Sequence, residues 1–100
     1  MIRIVKLTLK TEHIDDFINH FETVKHKINA FPGCLGMKML RDRKDPKIIF
    51  TYSKWKEEED LENYRKSELF GEVWPVVKRW FDAKAEANSV DVYFDGFLLK

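Results

Sequence analysis

The residues of this chain best suited to proton chemistry sit together on one predicted helix. His13, Asp16 and His20 fall within roughly 60° of one another at ~100° per residue, beside the helix's apolar stripe, whereas His26 points nearly opposite. A histidine oriented by a carboxylate serves as a general base near neutral pH, which makes His13 and His20 candidate proton acceptors with Asp16 as the orienting group. The plainer account is a solvated flank carrying a weak i,i+4 pair. Two histidines and one carboxylate supply too few ligands for a metal site, so no metal is expected. Cys34, the single cysteine, lies in a turn with no histidine or lysine beside it to activate a thiolate, and reads as a small packing residue. It cannot form an intrachain disulfide, which fits a reducing compartment. Lys6, among apolar neighbours on a predicted strand, reads as a snorkelling side chain. The cations Lys38, Arg41, Arg43, Lys44 and Lys47 are interrupted by Asp42 and Asp45, as in a solvated turn.

The elements that must position these groups follow from periodicity. Residues 2–9 alternate in two registers, Ile2/Ile4/Lys6/Thr8 and Arg3/Val5/Leu7/Leu9, which predicts a first strand. Thr11 is the expected N-cap of a helix over roughly 12–30, with Ile14, Phe17, Ile18, Phe21, Val24 and Ile28 at helical spacing and Pro32-Gly33 ending it. Leu35, Met37 and Met39 form a second strand, and Ile48, Phe50 and Tyr52 a third that ends near Trp55 and completes a hairpin. The acidic run Glu57–Asp60 suits the positive end of a helix dipole, and Leu61 and Tyr64 continue that helix. Ser67 is a fresh N-cap for an apolar stripe running from Leu69 to Phe81, with a kink or restart expected near Trp74 because Pro75 lies inside it. Val90, Val92 and Phe94 predict the last strand, followed by the apolar tail Phe97-Leu98-Leu99.

The resulting order, βαββαβ, is the ferredoxin-like arrangement of the α+β class, an antiparallel sheet with its helical segments on one face. One domain spans residues 1–100, with a core over 2–94 and a tail over 95–100, because a second core would be too small to sustain itself. With 44% hydrophobic and 35% charged residues the composition excludes a disordered chain. A net charge of +1 gives no electrostatic footprint for nucleic acid or an anionic membrane. Apolar runs never exceed three residues, as in Ile48-Ile49-Phe50, so neither a membrane span nor a signal peptide is expected and a cytoplasmic location is. Strand one carries apolar residues in both registers, which predicts a second covering layer. Another copy of the same chain supplies one most simply, so a homodimer is expected, with Phe97, Leu98 and Leu99 packed on the partner.

Two segments resemble a known family. Phe31-Pro32-Gly33-Cys34-Leu35-Gly36 followed by a strand, and Tyr52 through Ser67 leading to Phe70, with Trp55 closing a strand before an acidic helix start, are similar to the antibiotic biosynthesis monooxygenase superfamily. The likeness covers essentially residues 2–94. It implies a dimeric α/β barrel in which two ferredoxin-like sheets face each other and each subunit keeps a pocket between sheet and helices. Some members oxygenate electron-rich phenols without metal or flavin, the substrate anion itself passing an electron to dioxygen, so no cofactor is expected. Another branch degrades haem. Its iron-ligating histidine, ruffling tryptophan and strand-one asparagine fall near Trp74, Tyr64 and Val5 of this chain, and since indole cannot ligate iron, haem degradation is disfavoured.

The resemblance implies a cofactor-independent monooxygenase acting on an aromatic or quinol-type small molecule. Such chemistry needs an apolar pocket, a hydrogen bond favouring the phenolate and exclusion of water. Tyr52, Trp55, Phe70 and Trp74 are the expected substrate-lining residues, with His20, His13 and Tyr64 as catalytic candidates. The competing accounts are aromatics that merely fill a small core and a non-catalytic binding or accessory dimer with the same pocket. The RNA-recognition motif shares this element order and Phe50 and Tyr52 share one strand face, but Lys47-Ile48-Ile49 and an aliphatic strand one lack its signature, so no nucleic acid partner is expected.

Overall fold

The computed structural model describes residues 1–99. Its elements are β1 (Ile2–Thr8), α1 (Ile14–Asn29), β2 (Cys34–Arg41), β3 (Ile48–Trp55), α2 (Glu58–Arg65), α3 (Glu68–Lys78) and β4 (Glu86–Val90), with short 3-10 turns at Thr11–His13 and Gly96–Leu99. The strands form one sheet in the order β2-β3-β1-β4, every neighbouring pair antiparallel, which is the ferredoxin-like α+β fold. No helix among the described residues is long and apolar enough to cross a membrane.

Because directly paired residues share a face of an antiparallel sheet, register sorts the side chains. Val5 opposes Thr51, Leu7 opposes Ile49 and Arg3 opposes Ser53, all towards the helices, while Ile4 opposes Tyr52 and Lys6 opposes Phe50 on the outer face. The tightest cluster of the core lies towards one end of the helix-covered face, where Leu7, Leu9, Ile49, Phe17 and Val77 bury one another, with Leu9 and Ile49 fully inaccessible. Val24, Ile28, Trp55 and Leu61 are buried as well.

The helix starts are locally encoded. Glu57 and Asp60 form a capping box at α2, each side chain satisfying the other's backbone N–H. The Ser67 hydroxyl accepts from Phe70 N at 3.1 Å and so caps α3. Gly33 has φ +86, and any side chain there would collide with Asp60. Its carbonyl accepts from Lys56 N at 2.9 Å, tying the turn after α1 to the entry of α2.

Three local expectations are corrected. Thr11 is not the cap of α1. It lies inside the 3-10 turn, and His13 precedes the helix with no side-chain capping bond. Nor does α3 restart at Pro75, since it runs unbroken from Glu68 to Lys78. The bond that Pro75 removes is the one to Gly71, and both residues lie on the exposed side, where water satisfies the orphan carbonyl. The last strand is Glu86–Val90 rather than Val90–Phe94. The chain leaving α3 meets β1 at a Leu9–Phe81 bridge and runs back along it until Val90 opposes Ile2, so β4 ends where β1 does. The residues beyond are left outside the sheet, with Tyr93, Phe97 and Leu98 at 101%, 90% and 81% exposure.

Candidate active site

At the other end of the helix-covered face the packing opens into a cavity of about 310 Å³. The sheet supplies its floor through Arg3, Val5, Thr51, Ser53 and Trp55, and the helices supply its walls through Phe17, His20, Tyr64, Arg65, Phe70 and Trp74. Its aromatic walls form a continuous series. Trp55 and Tyr64 lie 5.3 Å apart between ring centroids, Tyr64 meets Phe70 edge to face at 5.3 Å, Phe70 stacks on Trp74 at 5.6 Å, and Trp74 meets Phe81 at 5.4 Å. These are the spacings at which ring quadrupoles attract, so the wall is stiff as well as apolar.

Ser67 sets part of that series. Its hydroxyl donates to the Tyr64 carbonyl at 2.6 Å while accepting from Phe70 N, so one side chain holds both ends of the turn that brings these two rings together. Trp55 is anchored separately, its indole N–H donating to Ser53 Oγ at 2.9 Å.

The structure divides the sequence-predicted residues. Trp55, Tyr64, Phe70, Trp74 and His20 come together around the cavity, whereas Tyr52 and His13 lie outside it. Tyr52 alternates with Thr51 and Ser53 and therefore faces outwards, where the Lys38 ammonium sits 5.9 Å from its ring centroid. His13 makes the carboxylate pair anticipated for the helix, its Nδ1 lying 2.8 Å from Asp16 Oδ2. That pair is on the surface, stacked against Trp80 at 6.3 Å. The histidine that reaches the cavity is His20, edge-on to the same Trp80 at 5.9 Å. Its Nε2 is buried and has no hydrogen-bond partner among the described residues. A buried polar atom without a partner is costly, so this one requires a physical explanation.

Burial, with a lesser contribution from neighbouring Cys34, pushes the Tyr64 phenol up to about 12. Tyr64 therefore stays protonated throughout the physiological range, and its hydroxyl can donate a hydrogen bond to a ligand. Arg3 and Arg65 also line the cavity, and neither was among the residues expected there. Arg3 lies in the register Arg3/Val5/Leu7/Leu9, a lone cation in an apolar series, and that irregularity was its signal. Arg65 sits one turn past Leu61 on α2, with nothing local to distinguish it from a solvated helix end. Among the described residues no cluster of three or more His, Cys, Asp or Glu is arranged to hold a metal ion.

Comparison with known proteins adds a family to this geometry. The family described as antibiotic biosynthesis monooxygenase matches residues 1–85. No curated protein matches at a significant level. Among solved structures, a conserved protein from Methanosarcina mazei Go1 is 26% identical, covering 87% of each chain with a TM-score of 0.81. An antibiotic biosynthesis monooxygenase is 20% identical over 92% of this chain and 98% of its own, with a TM-score of 0.84. A candidate monooxygenase of the same name from Nitrosomonas europaea is 16% identical over 93% and 98%, with a TM-score of 0.85.

Proposed function

The chain belongs to the antibiotic biosynthesis monooxygenase family, and on that footing we propose that it is a cofactor-independent monooxygenase acting on an electron-rich phenol or quinol bound in the cavity. The observation that carries this reading is the cavity itself, whose walls are largely rings and which His20 also lines, the imidazole Nε2 being buried and unpaired among the described residues. In this mechanism His20 accepts the phenolic proton and Tyr64 donates a hydrogen bond to the phenolate oxygen. The anion passes one electron to dioxygen, and the resulting aryloxyl and superoxide radicals couple at a ring carbon bearing hydrogen. The proton held on His20 completes a hydroperoxide. Loss of the ring C–H proton then breaks the O–O bond, leaving a second carbonyl on the ring and releasing water. One oxygen atom enters the product and the other leaves as water, with the substrate supplying both electrons that reduce it. The aromatic walls keep bulk water from the radical pair.

Oxygen uptake against naphthols, anthrols and hydroquinones tests this reading. Uptake above the uncatalysed rate is expected, falling by about 10²- to 10⁴-fold in His20→Gln and persisting in His13→Gln, whose imidazole lies outside the cavity. A second reading, a non-catalytic binding protein, is favoured by the pairing of Asp16 with His13 rather than His20, which leaves the cavity histidine without an orienting carboxylate. Ligand binding with no uptake across the panel would establish it. Haem titration is the control, because Val5, Tyr64 and Trp74 occupy the cavity positions at which the haem-degrading branch is distinguished, and a stoichiometric Soret band would overturn the argument.

The proposal includes a homodimer. The outer face carries Ile4, Phe50 and Tyr52, each half-buried, and the segment after Val90 exposes Val92, Phe94 and Leu99 as well as the three residues named above. A second copy buries both. Ending the chain at Val90 is expected to convert the dimer to monomer in sedimentation, and an unchanged sedimentation coefficient and melting temperature would refute it.

A further inference from the structure

The charged groups of the cavity are all of one sign. Arg3 and Arg65 line it, and no aspartate or glutamate does. Arg3 comes from β1 and Arg65 from the last turn of α2, and the two are close enough that Arg65, after burial itself, holds the Arg3 guanidinium below its ordinary value. Glu62 offsets this in part. It pairs with Arg65 Nη1 at 3.2 Å, a single contact that leaves the rest of that fork free. Arg3 takes part in none of the ion pairs among the described residues. Its one protein partner is neutral, the Ser89 hydroxyl on β4, to which Nη1 donates at 3.0 Å. Two guanidinium groups lining a largely apolar cavity, with one carboxylate paired to Arg65 alone, leave one positive charge uncompensated.

We infer that the natural ligand is an aromatic carboxylic acid, its ring between Trp55, Tyr64, Phe70 and Trp74 and its carboxylate held by Arg3 and Arg65. The placement of the ring rests on the function proposed above, and that of the acid on the two arginines. A guanidinium presents paired N–H donors that match the two oxygens of a carboxylate, and such charge-assisted bonds strengthen where water is partly excluded. The anion also relieves the repulsion between the arginines, so its binding gains twice. A neutral phenol of the same size gains only the ring contacts.

The test is equilibrium binding under anaerobic conditions, followed by tryptophan fluorescence, using 1-hydroxy-2-naphthoate and its neutral isostere 1-hydroxy-2-naphthamide. The acid is expected to bind at least tenfold more tightly. Arg3→Gln should narrow the gap between acid and amide by weakening acid binding more than amide binding, with Arg65 keeping part of the preference, and Arg3→Lys, which keeps the charge without the fork, should fall between Arg3→Gln and the unaltered protein. Equal affinities for acid and amide, a parallel loss of both in Arg3→Gln, or no acid binding at millimolar concentration would each overturn the inference. The circular dichroism spectrum reports whether each variant is folded. Admitting air then separates this inference from the catalytic one. Acid preference without oxygen uptake preserves the ligand class and removes the oxygenase, whereas uptake with neutral naphthols and no acid preference does the reverse.

Discussion

The two ends of the helix-covered sheet face are built from the same strands and helices and differ in what they enclose. At one end Leu7, Leu9, Phe17, Ile49 and Val77 close on one another. At the other, two residues back along β1 and onwards along β3, Val5, Arg3, Ser53 and Trp55 face a space that Tyr64, Phe70 and Trp74 wall but do not fill. Aliphatic side chains pack to crystal-like density and leave no room. Stiff rings that stack mainly on one another span a gap instead. His20, Tyr64, Arg3 and Arg65 all line the cavity, whereas none of them belongs to the packed cluster. The two share Leu7, Phe17 and Val77, and Trp55, Leu61, Ile28 and Val24 are buried in the cavity's own walls, so the chemistry gathers at one end while apolar burial runs through both.

The contrast is sharpest in Ile49→Ala, which empties a fully buried site and is expected to cost about 2–5 kcal/mol in urea unfolding. Val73→Ala, on the wall of the existing cavity, should cost about 1 kcal/mol. Equal losses would mean that the two ends are packed alike. The next effect is one of pH. Tyr64 ionises at about 12 in the native protein but near 10 when unfolded, so between these values the unfolded state holds fewer protons and stability falls as pH rises. The loss reaches about 1.4 kcal/mol by pH 11 and should be absent from Tyr64→Phe, as seen by comparing urea midpoints at pH 8 and pH 11. The Ile49→Ala penalty should be the same at both. Smallest is Ser67→Ala, expected to cost about 1 kcal/mol through the lost cap and, because Ser67 joins Tyr64 to Phe70, to weaken naphthol binding as well. Weakened stability with unaltered binding would show that the rings hold their own positions.

Most of the fold was legible in sequence. Alternation in β1 and β3, the stripe of α1, the acidic entry to α2 and the Ser67 cap are each specified within one or two turns of chain, over distances where propensity and capping act directly. Thr11 and Pro75 show the limit of such rules. A good capping residue was bypassed by a 3-10 turn, and a helix breaker was tolerated where its carbonyl partner faces water. The end of β4 was not legible at all, because it is decided by where β1, more than eighty residues earlier in the chain, runs out of partners.

For the site, the sequence alone determined the cast. It placed His13, Asp16 and His20 on one flank of a helix and supplied Trp55, Tyr64, Phe70 and Trp74 at spacings compatible with one wall. Only the tertiary structure decided which of them meet. A single residue of strand alternation sends Tyr52 outwards and Thr51 and Ser53 into the cavity, and two turns of helix separate His13, paired with Asp16 outside the cavity, from His20, which lines it. Arg3 and Arg65, distant in sequence and unrelated by any motif, come to line one cavity only in the folded chain. Local rules fix the direction of each side chain relative to its own element. A cavity is the space left between elements, and it exists only once their packing is set.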